Sequence, residues 1–181
     1  MNRSTRFTIF CLALIFFIAQ VAFALAFVNV IIAFFSMGLI PESSDGIMFW
    51  GIDATNYDGS FLTIQHFEIL ILILAMIVCV VSFFLYQFLR TLLQSLNEEQ
   101  VFNQNNLTKI KRILLLYLSL GVINFGINTL CSLTNVHYIR GLTENILGSL
   151  LNVGLTTAGI YTLYFVFKYG TVLKKENEAI V

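Results

Sequence analysis

The sequence ILILILAMIVCVVSFFLYQFL, at residues 69–89, contains no charged side chain. The hydrocarbon core of a bilayer is about 30 Å thick, and a helix that rises about 1.5 Å per residue crosses it with roughly 20 apolar residues. This stretch therefore has the length and composition of a transmembrane helix. Three other uncharged runs of sufficient length lie at residues 7–35, 113–134 and 146–167.

The composition of the whole chain also indicates a membrane environment. Of its 181 residues, 58% are hydrophobic and 11% are charged, whereas a soluble domain has about 25% charged residues. Because an unpaired backbone group is costly in lipid, each run should be a continuous helix. The sequence predicts an all-α membrane protein, a four-transmembrane-helix bundle in which residues 1–181 form one membrane domain.

The first run has an alternative interpretation as a cleavable signal peptide. Arg3 and Arg6 precede it, and alanines alternate with larger residues at positions 22–26. The apolar region of a signal peptide is only about 7–15 residues long. The run at 7–35 continues well beyond that length, which favours a helix that stays in the membrane.

The basic residues predict the orientation of the chain. Nine of the ten Lys and Arg lie before the first run, between the second and third, or after the fourth, and Arg140 is the exception. Short loops rich in Lys and Arg stay cytoplasmic. We therefore expect both termini, the 90–112 connection and the 168–181 tail in the cytoplasm, with the 36–68 and 135–145 loops outside.

The 90–112 connection carries a helix-start signal. Asn103 can cap a helix with its side-chain oxygen, and Phe102 and Leu107 have the spacing of a hydrophobic staple. The third helix should therefore begin before the membrane. Its basic residues Lys109, Lys111 and Arg112 then lie at headgroup depth, where anionic lipid headgroups are the expected partner and a cytosolic protein is the alternative.

The 36–68 loop combines acidic and aromatic residues without any Lys or Arg. Such a surface suits a cationic membrane-active peptide, which would make the protein a self-protection factor. Aromatic residues also gather at membrane interfaces, and acids accumulate where basic residues are excluded. The candidate outer-loop binding residues are Glu42, Asp45, Trp50, Asp53 and Asp58.

Polar residues recur at helical spacing in the last two runs. We interpret them as a packing stripe on each helix, because small residues and amides allow close approach and interhelical hydrogen bonds. A polar path for a small transporter or channel is the alternative. The residues assigned to interhelical polar packing are Asn124, Asn128, Asn152 and Thr156.

The sequence contains no recognised catalytic, nucleotide-binding or metal-binding motif. Its three cysteines lie singly within apolar runs, and its ten basic and ten acidic residues cancel. We therefore predict a protein that is not an enzyme, with no catalytic residues, no metal, no cofactor and no direct binding to nucleic acid.

Two segments carry a resemblance to a known family. Residues 100–113, QVFNQNNLTKIKRI, and residues 166–181, VFKYGTVLKKENEAIV, resemble the shared motifs of the bacterial domain-of-unknown-function family 2975. The chain departs from the family pattern at Val101, where proline is common, and at Asn103, where Thr or Ser is frequent. The resemblance implies a small four-helix protein of the bacterial cytoplasmic membrane.

The resemblance also implies a partner, since members are often encoded beside a small helix-turn-helix regulator. Both matched segments belong to the predicted cytoplasmic side, where a partner could dock. We therefore expect a membrane regulator or sensor that binds such a transcription regulator. The candidate cytoplasmic docking residues are Phe102, Asn103, Asn106, Leu107, Lys168, Gly170, Glu176 and Ile180.

Overall fold

The computed structural model describes residues 3–36, 48–49, 52–53, 60, 62–97, 101–134, 137–138 and 146–180. Within them, four helices follow one another along the chain: α1 (Arg3–Ser36), α2 (Ile64–Asn97), α3 (Gln104–Leu133) and α4 (Ile146–Ile180). Each helix contains a segment that is long and apolar enough to cross a membrane. The prediction of four helices able to span a membrane is therefore confirmed.

Three very short strands connect the two loops at the end where α1 and α3 finish. They are β1 (Met48–Phe49), β2 (Ile52–Asp53) and β3 (His137–Tyr138), and they form an antiparallel sheet in the order β1-β2-β3. Ile52 pairs with Tyr138, and Asp53 pairs with His137. Strands are not expected in an all-α protein, and two-residue strands are too short to show a period of alternating polarity in the sequence.

The first two helices pack against each other in antiparallel directions. Val30 of α1 is buried with Leu72 and Cys79 of α2. Further along, the ring of Phe23 stacks on that of Tyr86, with 5.5 Å between their centroids. Large aliphatic and aromatic side chains therefore form this interface, as expected for helices whose sequences are apolar on every side.

The remaining helices continue the same arrangement. Phe67 and Ile71 of α2 are buried with Cys131 of α3. Between α3 and α4, Gly121 approaches so closely that a Cβ there would lie 2.7 Å from Cγ1 of Val153. Among the described residues, the extensive contacts join consecutive helices, so the four form a row with α1 and α4 at its edges.

The start of α1 and the end of α4 lie at the same end of this row, because each helix is antiparallel to the next. We call it the basic end, since it contains Arg90 at the end of α2, Lys109, Lys111 and Arg112 at the start of α3, and Lys168 near the end of α4. The opposite end, with the three strands, is the sheet end. That the basic end faces the cytoplasm stays a prediction from the distribution of Lys and Arg.

Candidate docking site at the basic end

Helix α3 begins where the sequence predicts, with Asn103 as its N-cap. The Asn103 backbone is extended, with φ −131° and ψ 146°, and its side-chain oxygen accepts a hydrogen bond from the Asn105 N–H at 3.3 Å. Its carbonyl oxygen accepts from the N–H groups of Asn106 and Leu107. The cap therefore satisfies N–H groups that the first turn of a helix leaves without partners.

The ring of Phe102 lies against α4. Its centroid is 5.8 Å from that of the Phe167 ring. It also covers Gly170, where a Cβ atom would overlap the ring. The chain thus has glycine where the Phe102 ring meets the α4 backbone, and the contact joins the α2–α3 connection to the end of α4.

Asn106 and Lys109 form a polar network beneath this contact. The Asn106 side chain is only 2% exposed, and its amide nitrogen donates to the Val101 carbonyl oxygen at 3.2 Å. The Lys109 ammonium donates to the Asn106 amide oxygen at 3.4 Å, to the Ser95 hydroxyl at 2.7 Å and to the Thr91 carbonyl oxygen at 3.1 Å. The network holds the end of α2 and the α2–α3 connection against the start of α3.

This network separates the three basic residues of α3, which the sequence analysis placed together at headgroup depth. Lys109 is half-buried and its ammonium is engaged within the protein. Lys111 and Arg112 are exposed, and the Arg112 guanidinium lies 5.4 Å from the centroid of the Phe88 ring. Only the latter two present their charge outward.

Helix α4 extends beyond the start of α3. Thr171 is buried and its hydroxyl donates to the Phe167 carbonyl oxygen at 2.7 Å. The helix then continues to Ile180, which is about 15 Å past Gly170 at 1.5 Å per residue. The Ile180 side chain lies outside the described residues. The exposed side chains of this part of α4 are Lys168, Tyr169, Val172, Leu173, Lys174, Lys175, Glu176 and Asn177.

The candidate docking residues consequently fall into two groups. Phe102, Asn103, Lys168 and Glu176 are exposed, whereas Asn106 is buried inside the network. Leu107 and Gly170 are half-buried. The buried and half-buried members support the shape of the surface, and the exposed ones can reach another molecule.

A groove between α1 and α2 was not expected from the sequence. It has a volume of about 350 Å³, and Arg90 and Gln94 face the apolar side chains of α1 across it. The Arg90 guanidinium lies 5.4 Å from the Phe17 ring centroid, and its Nε atom is buried without a hydrogen-bond partner. The uncharged run of α1 gave no indication of this arrangement, because such a run only indicates burial in lipid.

In the described part of the chain, no hydrogen bond joins the polar stripe residues of α3 to those of α4. Asn124 and Asn152 are exposed, and Asn128 and Thr156 are half-buried. At the close contact between these helices, Gly121 meets Val153 rather than a polar residue. Equal spacing of polar residues identifies a face of a helix but not the neighbour that the face meets.

The outer-loop candidates fall largely outside the described residues. Glu42, Asp45, Trp50 and Asp58 lie there, and of Asp53 only the backbone pairing in β2 is described. At the nearby start of α2, the Thr63 hydroxyl is hydrogen-bonded to His66 Nδ1. No group of three or more His, Cys, Asp or Glu able to hold a metal ion occurs among the residues that the structure describes.

Comparison with known proteins gives no match to a protein-family model, to a curated protein or to a solved structure.

Proposed function

We propose that this protein is a non-enzymatic docking platform in the membrane, whose basic end binds a regulatory protein of the cytosol. The observation that carries the proposal is the contact of Phe102 with Phe167 and Gly170. It makes one continuous surface from two segments that are far apart in sequence. Those segments are also the ones that resemble a shared motif, which favours a common role for them.

The position of the surface relative to the membrane supports a protein partner. Tyr161, Tyr164, Phe165 and Tyr169 contact one another in a series along α4. Tyrosine is enriched at the membrane interface, so this cluster marks the headgroup level. The part of α4 after Tyr169 then projects into water.

Apolar side chains are exposed on this projecting part. Leu173 is 59% exposed and Val172 is 46% exposed, and Phe102, which lies against Gly170, is 38% exposed. Lys174 and Lys175 follow directly. Exposed apolar groups beside charged ones are typical of protein-binding surfaces, in which a few apolar anchors supply most of the binding energy and charges guide the encounter.

The chemistry of the surface defines the partner. It requires apolar contacts for Leu173 and Phe102, with acidic residues near Lys175. The family resemblance suggests a small helix-turn-helix transcription regulator. Sequestration of such a regulator at the membrane would give this protein a regulatory role without any chemistry of its own.

The experiment is co-purification of the full-length protein, in detergent or nanodiscs, with a small helix-turn-helix regulator from the same organism. We expect the wild type to retain that protein and Leu173→Ser to lose most of it, because the substitution removes an exposed apolar anchor. The matched control is Phe7→Ser, which removes an exposed apolar side chain at the basic end of α1, 69% exposed. Absence of binding by the wild type, or an equal loss for both variants, contradicts the proposal.

The alternatives of peptide self-protection and transport receive no specific support. The first depends on acidic residues that fall outside the described part of the chain. The second depends on polar residues of α3 and α4, of which Asn124 and Asn152 are exposed.

A further inference from the structure

A groove between α2 and α3 at the basic end has charged and apolar parts. Its volume is about 470 Å³. Lys111 and Arg112 of α3 line one part, and Phe84 and Phe88 of α2 line the other together with Leu115 of α3. Among the residues that the structure describes, no carboxylate is paired with either cation.

The two parts follow one another along the membrane normal. Helix α3 starts at the basic end, so Lys111 and Arg112 lie nearer to that end and Leu115 lies one turn deeper. Helix α2 runs in the opposite direction, so Phe88 is level with Arg112 and Phe84 is one turn deeper. The groove is therefore basic at headgroup level and apolar below it, which is the order of groups in a phospholipid.

The groove between α1 and α2 has the opposite order. Arg90 lies at its deep end beside Phe17, and the apolar residues Ile9 and Phe10 lie nearer to the basic end. That groove therefore offers no apolar wall for an acyl chain on the deeper side of Arg90. Of the two grooves, only the α2–α3 groove has apolar residues below its basic ones, as a phospholipid requires.

We propose that the α2–α3 groove binds one anionic phospholipid of the adjacent leaflet. The phosphate is held by the Lys111 ammonium and the Arg112 guanidinium, and an acyl chain lies along Phe84, Phe88 and Leu115. The Arg112 guanidinium is already placed over the Phe88 ring, which limits its freedom before a lipid arrives. The inference is independent of the proposed function, because it uses a different face of the protein.

The test is native mass spectrometry of the full-length protein, released from detergent in the presence of phosphatidylglycerol or phosphatidylcholine. The wild type should retain phosphatidylglycerol in preference. In Lys111→Gln/Arg112→Gln, the affinity for phosphatidylglycerol should fall roughly thirtyfold, which is about fivefold for each basic residue near an anionic surface. Both side chains are exposed, so circular dichroism should show unchanged helix content.

Two further variants distinguish lipid binding in the groove from general electrostatic attraction of the lipid to the protein. Lys174→Gln/Lys175→Gln removes the same charge outside the groove and should leave lipid retention unchanged. Leu115→Trp keeps every charge but fills the apolar part, and it should lower retention. Inorganic phosphate should not displace the lipid, because it gains nothing from the apolar wall.

Three results would overturn the proposal. The first is equal retention of the two lipids by the wild type. The second is an equal loss in the Lys174/Lys175 control, which would indicate attraction to the protein as a whole. The third is displacement by phosphate at the lipid's own concentration, which would indicate a site for a free anion.

Discussion

Substitution of Gly170 by alanine is expected to destabilise the protein through a steric overlap with Phe102. The added Cβ would lie 2.9 Å from Cγ of the ring and still closer to two other ring atoms, so the ring or the helix must move. Overpacking of this kind costs about 1–3 kcal/mol. Alanine also favours a helix over glycine by roughly 1 kcal/mol, which acts in the opposite direction.

A second glycine of the same helix separates these two effects. A Cβ at Gly159 would have no atom within 4 Å, so Gly159→Ala gains the helix propensity without an overlap. The free energy of unfolding of Gly170→Ala should therefore be about 1–3 kcal/mol lower than that of Gly159→Ala. Denaturant unfolding in mixed micelles, followed by circular dichroism, measures both values.

Removal of the ring provides the decisive comparison. In Phe102→Ala/Gly170→Ala the new methyl group occupies space that the ring has left, so the two substitutions should cost less together than the sum of their separate costs. Equal stabilities for the two glycine variants, or strict additivity in the double variant, would refute the contact between Phe102 and α4.

Two other substitutions test the polar residues. Lys109→Met should lower the free energy of unfolding by about 1–3 kcal/mol, because it removes a half-buried ammonium that donates to three oxygens of α2 and α3. The matched Lys111→Met should change it by less than about 0.5 kcal/mol, and similar losses for both would contradict the network. Asn124→Leu should leave the melting temperature in detergent unchanged or raise it, because the amide is exposed; a clear fall would show instead that the amide has a partner in the folded protein.

The sequence was sufficient for the features that depend on local order. The four spans follow from uncharged runs, and the start of α3 follows from Asn103, whose side chain and carbonyl act within the next few residues. In both cases the signal and the structure occupy the same short segment. Neither prediction required knowledge of which helices are in contact.

Features that depend on contacts between helices were not predicted. The sequence suggested that Phe102 pairs with Leu107, but it gave no indication that the Phe102 ring lies on Gly170 of α4. Lys109 was grouped with Lys111 because the two are close in sequence. The hydrogen bond from its ammonium to Ser95 of α2 could not be predicted without knowing where α2 lies. These relations depend on how helices are placed, and that placement is set by the fit of large side chains over the whole interface.

The row arrangement of the helices has a consequence for how the protein is assembled. Each helix finds its main partner in the one synthesised just before it, so a nascent chain can build the structure stepwise as successive spans enter the bilayer. Such near-neighbour pairing keeps loop-closure entropy low and favours rapid folding. The pairing of β2 with β3 is different, since it joins an early loop to a late one and must wait until α3 has crossed.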